Sequence, residues 1–147
     1  MTELASSQRP KRPEFRNINA LKDLPSYRLP PAGWVSILHR ISGFIMFLLM
    51  PFIIWMFDTS VSSEFSFSKF KSVFNIGTAY VPGWFYKLVA LALIWAYLHH
   101  FIAGLRHLWM DVNHAVSKEF GRSSAIFTLA LSLGLTFVLM LKLFGAY

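Results

Sequence analysis

The sequence predicts an all-α membrane protein with three transmembrane helices and a short interfacial helix in the first loop. Of its 147 residues, 55% are hydrophobic and only 14% are charged, whereas a soluble domain usually devotes about a quarter of its residues to charged side chains. The apolar residues are concentrated in three blocks, and each block with its flanks reaches the roughly 20 residues needed to cross a bilayer. No block alternates with a period of two, which disfavours transmembrane β-strands.

The chain divides into an N-terminal arm, residues 1–33, and a three-helix transmembrane domain, residues 34–147. The arm is polar, basic and rich in proline, a composition typical of extended segments rather than of folded domains. It could stay solvated, bind lipid headgroups or lie along a partner protein. We do not expect it to be a signal peptide, because no apolar stretch precedes a small-residue cleavage site.

The three spans cover about residues 34–57, 84–110 and 123–144. The first contains an uncharged run, ISGFIMFLLMPFIIWMF. Pro51 should kink this helix, because its ring removes one backbone hydrogen bond and clashes with the preceding turn.

The loop after the first span carries a shorter apolar pattern. Phe67, Phe70 and Phe74 recur at helical spacing among serines and lysines. A short amphipathic segment of this kind lies in the membrane interface more readily than it crosses the bilayer. We therefore expect a short interfacial helix between the first two spans.

Basic residues are shared unevenly between the two ends of the spans. The N-terminal side and the second connection hold Arg9, Lys11, Arg12, Arg16, Lys22, Arg28, Arg40, Arg106, Lys118 and Arg122. The opposite side holds only Lys69, Lys71, Lys87 and Lys142. The positive-inside rule places the N-terminus in the cytoplasm and the C-terminus in the periplasm. Acidic residues in the arm make it a poor transit peptide, which favours a bacterial inner membrane over a mitochondrial one.

The composition excludes several classes of function. Because the chain has no cysteine, it can offer no disulfide, zinc–thiolate site, iron–sulfur ligation or thiol nucleophile. Its formal net charge of +7 suits anionic lipid headgroups or acidic partner proteins better than nucleic acid. No nucleotide-binding loop, nucleophile–base arrangement or paired-carboxylate site is visible.

Ionisable side chains within the second span need an explanation, since charge at the bilayer centre is costly. His100, Gly104, His107 and Asp111 are four, three and four residues apart, so they share one helix face. A neutral imidazole at the depth of His100 could hydrogen-bond another helix, relay protons or ligate a metal. Haem iron is the metal that fits, because a planar porphyrin needs an apolar cleft and a small residue, here Gly104, beside its ligand. His99 points elsewhere and is better explained as a packing or hydrogen-bonding residue.

Two His-Arg pairs fall at the same depth near the cytoplasmic side. His39 and Arg40 begin the first span, and Arg106 and His107 lie near the end of the second. Either pair alone could simply reach toward the headgroups. Together they offer strong donors suited to anionic carboxylates such as haem propionates.

Ser36 and Arg40 are four residues apart and therefore share a helix face. A hydroxyl and a guanidinium at the membrane boundary could hold the carbonyl oxygen of a quinone. Ser36 could equally be the N-cap of the first helix. Asp111 could likewise be only an ion-pair partner of Arg106 or Lys118.

Two strings of sequence carry a family resemblance. Residues 36–43 read SILHRISG and match S-x-x-H-R-x-[ST]-G; residues 100–111 read HFIAGLRHLWMD and match H-x-x-x-G-x-R-H-x-x-x-D. Both closely resemble signatures of the cytochrome b membrane-anchor subunit of succinate dehydrogenase, respiratory complex II. The resemblance is specific, because two independent motifs occur in the right order within a three-helix chain of the expected length.

This resemblance implies that His100 is an axial ligand of one haem b, with Gly104 and Asp111 as structural support. A six-coordinate haem needs two axial ligands, and only one histidine lies at mid-depth on the stripe. The second histidine would come from a second small membrane-anchor subunit. The isolated chain is therefore expected to bind haem weakly or with altered coordination.

The resemblance also implies that Ser36 and Arg40 line the ubiquinone site, and that His39, Arg40 and His107 lie near the haem propionates. Members of the family assemble with a flavoprotein subunit, which carries FAD, and with an iron–sulfur subunit. This chain would be the larger anchor of that complex and would tether both subunits. It would not oxidise succinate by itself.

Other functions remain open on the sequence. The chain could anchor a quinol–fumarate reductase, or it could be an assembly protein whose His and Arg residues only join helices. It could also be a small transport subunit in which His99, His100 and Arg106 relay protons. Against a relay, the third span has no ionisable group before Lys142 and no inverted repeat is visible.

Overall fold

The computed structural model of the chain describes residues 17, 19–23 and 26–145. These residues form the helices α1 (Ala20–Asp23), α2 (Pro31–Leu48), α3 (Met50–Val61), α4 (Glu64–Asn75), α5 (Gly83–Asn113) and α6 (Lys118–Leu143). No strand occurs within the described ranges, so the predicted all-α fold is confirmed. More than half of the predicted arm, and Tyr147 at the predicted periplasmic end, lie outside the described residues.

Three helices, α2, α5 and α6, are long and apolar enough to cross a membrane, as predicted. Helix α6 begins at Lys118, before the predicted start at residue 123. The side chain of Ser117 accepts a hydrogen bond from the Phe120 amide at 3.2 Å and caps the helix there. This first turn is polar, so a search for apolar residues alone places the start of the helix too late.

The predicted first span is interrupted near its middle. Helix α2 ends at Leu48, Leu49 has φ −90° and ψ 10°, and α3 then begins with Pro51 in its first turn. A proline has no amide hydrogen and is tolerated only where the helix needs none, which is the first turn. The predicted kink is therefore present as a break between two helices.

Helix α4 occupies the loop in which a short helix was predicted. Ser63 caps it, and a reciprocal capping box joins Ser63 to Ser66 at 3.0 and 3.1 Å. Phe70 lies 6.3 Å from Trp55 of α3, ring centre to ring centre. Phe74 lies 6.3 Å from Tyr86 of α5. The phenylalanine face thus holds α4 against the two neighbouring helices.

The core of the bundle is small and partly polar. Val35, Ala103 and Ala125 bring α2, α5 and α6 together with fully buried side chains. Small residues allow helices to approach closely in a bilayer, where no hydrophobic force drives them together. The large apolar side chains lie mostly on the outside, among them Phe44 at 62% and Phe101 at 53% exposure. Such a surface suits lipid and partner helices rather than water.

Candidate functional site

His100 lies on the face of α5 that packs against α2. Its Nδ1 is 3.0 Å from the backbone oxygen of His39 and 3.2 Å from Oγ of Ser42. Because a carbonyl oxygen can only accept, Nδ1 of the neutral ring must carry the hydrogen and donate it. Nε2 then carries the lone pair, and no described residue hydrogen-bonds to it. The fold thus presets the tautomer that can ligate a metal through Nε2.

Two small residues of α2 allow His100 to approach this closely. Ser42 is fully buried and donates its hydroxyl to the His39 oxygen at 2.8 Å. A Cβ placed on Gly43 would lie only 3.0 Å from Cε1 of His100. Ser42 is not among the site residues predicted from the sequence. A signal for it was present, since Ser42 is the one polar residue in an otherwise apolar run.

The ring of His39 stacks on that of His100, with centroids 4.1 Å apart and planes inclined by 29°. The His107 ring lies 5.4 Å from the His39 ring and is tilted by 43° to it. Nε2 of His39 is buried without a hydrogen-bond partner among the described residues. It sits 3.8 Å from where a Cβ on Gly104 would be. The gap beside Gly104, expected to face a porphyrin, holds the His39 imidazole here.

Arg106 faces away from this histidine cluster. Its Nε donates to Oγ of Ser124 at 2.9 Å, and its Nη2 donates to the backbone oxygen of Gly121 at 3.1 Å. Both partners belong to α6. In this structure the guanidinium therefore joins α5 to α6 and is not gathered with His39 and His107.

The two predicted quinone-site residues lie on α2. Arg40 is exposed and Ser36 is half-buried, and neither side chain hydrogen-bonds to another described residue. The N-cap of α2 is Pro30, so Ser36 lies inside the helix and is not its cap. Asp111 is also exposed and forms no ion pair within the described part of the chain, which leaves its supporting role without a contact.

His99, next to His100, faces a different helix. It is fully buried, its Nδ1 is 3.2 Å from Oγ of Ser132 in α6, and its ring stacks 5.6 Å from Trp95. This is the packing and hydrogen-bonding role expected from its position off the stripe. His99 and His100 thus bind the second spanning helix to α6 and α2 respectively.

No group of three His, Asp or Glu side chains in the described ranges is arranged to hold a metal ion. The histidine cluster is therefore not a chelate of the zinc type, which uses three or four converging ligands. It offers one preset imidazole with donors beside it. The fold and the site are those of a small helical membrane protein in which an imidazole with a preset tautomer lies between two candidate spans.

Comparison with known proteins agrees with this class and narrows it. Over residues 8–139 the chain matches the family described as succinate dehydrogenase/fumarate reductase transmembrane subunit. It is 37% identical over 103 residues to the succinate dehydrogenase cytochrome b556 subunit of Coxiella burnetii (strain RSA 493 / Nine Mile phase I), covering 70% of this chain and 78% of that protein. It is 30% identical over 102 residues to the subunit of the same name from Paracoccus denitrificans, covering 69% and 73%.

The chain therefore belongs to the succinate dehydrogenase/fumarate reductase transmembrane subunit family, among its cytochrome b subunits. The resemblance of the two sequence motifs is confirmed. The chain is a multi-pass membrane protein, with three apolar helices that can span the bilayer.

Proposed function

We propose that this chain is the haem b-binding membrane anchor of a succinate:quinone oxidoreductase. It ligates haem b through His100, tethers a flavoprotein and an iron–sulfur subunit, and helps to form the ubiquinone-reduction site. One observation carries the proposal: Nδ1 of His100 donates to the His39 carbonyl, which leaves the Nε2 lone pair for a metal. The relatives, which are named cytochrome b556 subunits, support a b-type haem.

The residues that orient His100 fit such a group, whereas the His39 ring would have to leave the gap beside Gly104 to make room for it. When bound, a haem b would supply a one-electron redox centre. The His39 carbonyl and Ser42 hold the His100 ring in one orientation, and Gly43 leaves room for it. The buried, unpartnered Nε2 of His39 provides an unsatisfied polar atom that a propionate could satisfy.

We assign His39, Arg40 and His107 as the charged and polar donors to the haem propionates. Arg106 was expected to join them from its sequence position. To do so it would have to give up its hydrogen bonds to Ser124 and Gly121 of α6. Of the four residues, Arg106 is therefore the one whose contacts least support binding to a propionate.

A second small anchor subunit completes the site in this proposal. The described residues offer one preset iron ligand and no chelating group, whereas a six-coordinate haem needs two axial ligands. The other histidine would therefore come from that subunit. One haem b is then shared between the two anchors, while FAD and the iron–sulfur clusters belong to the other partners.

Ser36 and Arg40 are proposed to bind ubiquinone. Both carry donors that no described residue uses, and both lie on α2, Ser36 in its second turn and Arg40 near its middle. The guanidinium of Arg40 can donate to a carbonyl oxygen as negative charge develops on it. Succinate oxidation is assigned to the flavoprotein, so this chain alone would not carry it out.

The membrane orientation follows the basic residues. We propose that the chain lies in a bacterial inner membrane, with its N-terminus cytoplasmic and its C-terminus periplasmic. Arg40, at the positive end of the bundle, would then face the soluble subunits. A quinol–fumarate reductase anchor would use the same residues, and the family includes both enzymes.

A proton-relay transporter is less well supported. Neighbouring relay groups must exchange protons with each other, but His99 bonds to Ser132 and His100 bonds to α2. Arg106 bonds to α6. The three proposed relay residues therefore have separate partners.

The proposal is tested by the reduced-minus-oxidised optical spectrum of membranes that contain the complex. We expect His100→Ala to abolish the haem b signal, because it removes an iron ligand. His114→Asn is the matched control, since His114 is exposed beyond the end of α5. A haem b signal of normal size and shape in His100→Ala would falsify the ligand assignment.

A further inference from the structure

We propose that this chain binds an anionic phospholipid in a cavity at the end of the bundle where α5 begins and α6 ends. The cavity has a volume of about 810 Å³, and α2, α3, α4, α5 and α6 all contribute to its walls. None of the residues assigned to haem or quinone lines it. The inference is therefore independent of the function proposed above.

Three lysines from three different helices line this cavity. They are Lys71 of α4, Lys87 near the start of α5 and Lys142 in the last turn of α6. Lys69, the remaining basic residue at this end, does not line it. No Asp or Glu lines the cavity, and none of the three lysines forms an ion pair with a described residue. Their charge therefore calls for an anion from outside the chain.

Two of these lysines contact aromatic rings, which do not neutralise them. Nζ of Lys71 lies 5.0 Å from the ring centre of Phe67, and Nζ of Lys87 lies 5.7 Å from that of Phe144. Such cation–π contacts are weak at exposed sites. They leave the positive charge at the rim of the cavity.

Apart from the lysines, Asn75 and Tyr97, the residues that line the cavity are apolar. Its wall on α5 continues through Ala90, Leu93 and Ile94 as far as Leu98. Leu98 is eleven residues beyond Lys87, about 16 Å along the helix axis at 1.5 Å per residue. A cationic rim over a deep apolar channel matches an amphiphile with an anionic headgroup and an acyl chain. Lysine side chains commonly extend toward the headgroup layer, which explains why all three lie at this end of the bundle. It does not explain why they converge on one cavity.

The test uses the complex purified in detergent, stripped of lipid and titrated with phosphatidylglycerol or, as the uncharged control, phosphatidylcholine. We expect phosphatidylglycerol alone to raise the thermal midpoint of unfolding. Lys71→Gln, Lys87→Gln and Lys142→Gln should each weaken lipid affinity about fivefold, because one lysine near an anionic headgroup contributes about 1 kcal/mol. The triple variant should lose affinity on the order of a hundredfold. Lys69→Gln should behave as the wild type.

Four results would overturn the proposal. They are wild-type affinity in all three single variants, an equal effect of phosphatidylcholine, the full effect from inorganic phosphate alone, or a cross-link from Lys142 to a partner helix filling the cavity. The third result would assign the lysines to a free anion, and the fourth to a protein contact. If the triple variant fails to assemble, the single variants with their Lys69→Gln control decide the question.

Discussion

At the scale of single residues, the site depends on a backbone carbonyl. His39 holds the ring of His100 through its main-chain oxygen, and its own ring stacks on the same imidazole. Replacing the His39 side chain would therefore leave the orienting hydrogen bond in place. This separates the orienting role of the His39 backbone from the propionate contact proposed for its Nε2.

Gly43→Ala should disturb His100 without changing any polar group. The added Cβ would lie 3.0 Å from Cε1 of His100, so the ring or the helix must shift. We expect overpacking of about 1–3 kcal/mol and a fall in haem per complex. The measurement is haem stoichiometry of the purified complex, with Gly134→Ala as control, since no atom lies within 4 Å of a Cβ there. Unchanged haem content and stability in Gly43→Ala would contradict the geometry.

Ser36→Ala and Arg40→Leu should slow ubiquinone reduction while succinate oxidation by an artificial soluble acceptor continues. Losing a hydrogen bond from a charged donor costs about 1.5–3 kcal/mol, so Arg40→Leu should reduce the quinone rate about ten- to hundredfold. The neutral Ser36 should matter less, about fivefold. Arg122→Leu is the control, because Arg122 is exposed at the same end of the bundle. An equal loss of both activities would point instead to assembly.

The sequence predicted which residues form the site better than it predicted what surrounds each of them. The spacing of His100, Gly104 and His107 placed them on one face, because helix periodicity is local. The occupant of the gap beside Gly104 could not be foreseen, since it depends on how α2 crosses α5. The same crossing made Ser42 a neighbour of His100.

At the scale of helices, Arg106 joins the second and third spans. Its two hydrogen bonds reach a serine hydroxyl and a backbone oxygen of α6. In hydrocarbon or at its edge, a guanidinium with such partners is far less costly than an unpaired one. The residue therefore stabilises the packing of α5 on α6 in this structure.

Arg106→Gln should lower the stability of the complex by about 1.5–3 kcal/mol, the range for a hydrogen bond from a charged donor. Ser124→Ala should cost less, and the double variant should cost less than the sum, because the two side chains form one contact. The measurement is the thermal midpoint of the solubilised complex for all members of this cycle, with Arg122→Gln as control. Strict additivity, or a shifted haem potential without loss of stability, would place Arg106 elsewhere.

The spans themselves were predictable because each is a local run of apolar residues. Proline chemistry placed the interruption near Pro51, and the phenylalanine spacing placed α4. The first and last residues of each helix were less predictable. Polar first turns such as that capped by Ser117 continue a helix without adding hydrophobicity.

At the scale of the whole molecule, the bundle is incomplete by itself. In the 18-residue apolar stretches of α2, α5 and α6, only 11%, 22% and 17% of the residues are buried inside the chain. Lipid must cover the rest, except where the proposed second anchor would pack and share a haem. The sequence indicates the need for a second anchor through the single mid-depth histidine on the stripe, but it does not indicate which helix faces remain open.

The most direct measurement is the low-temperature optical and electron paramagnetic resonance spectrum of haem in the purified complex and in this chain purified alone. We predict a low-spin, bis-imidazole haem b in the complex, its loss in His100→Ala, and weak or altered haem binding by the single chain. A tight bis-imidazole haem in the single chain, or a normal one in the His100→Ala complex, would contradict it.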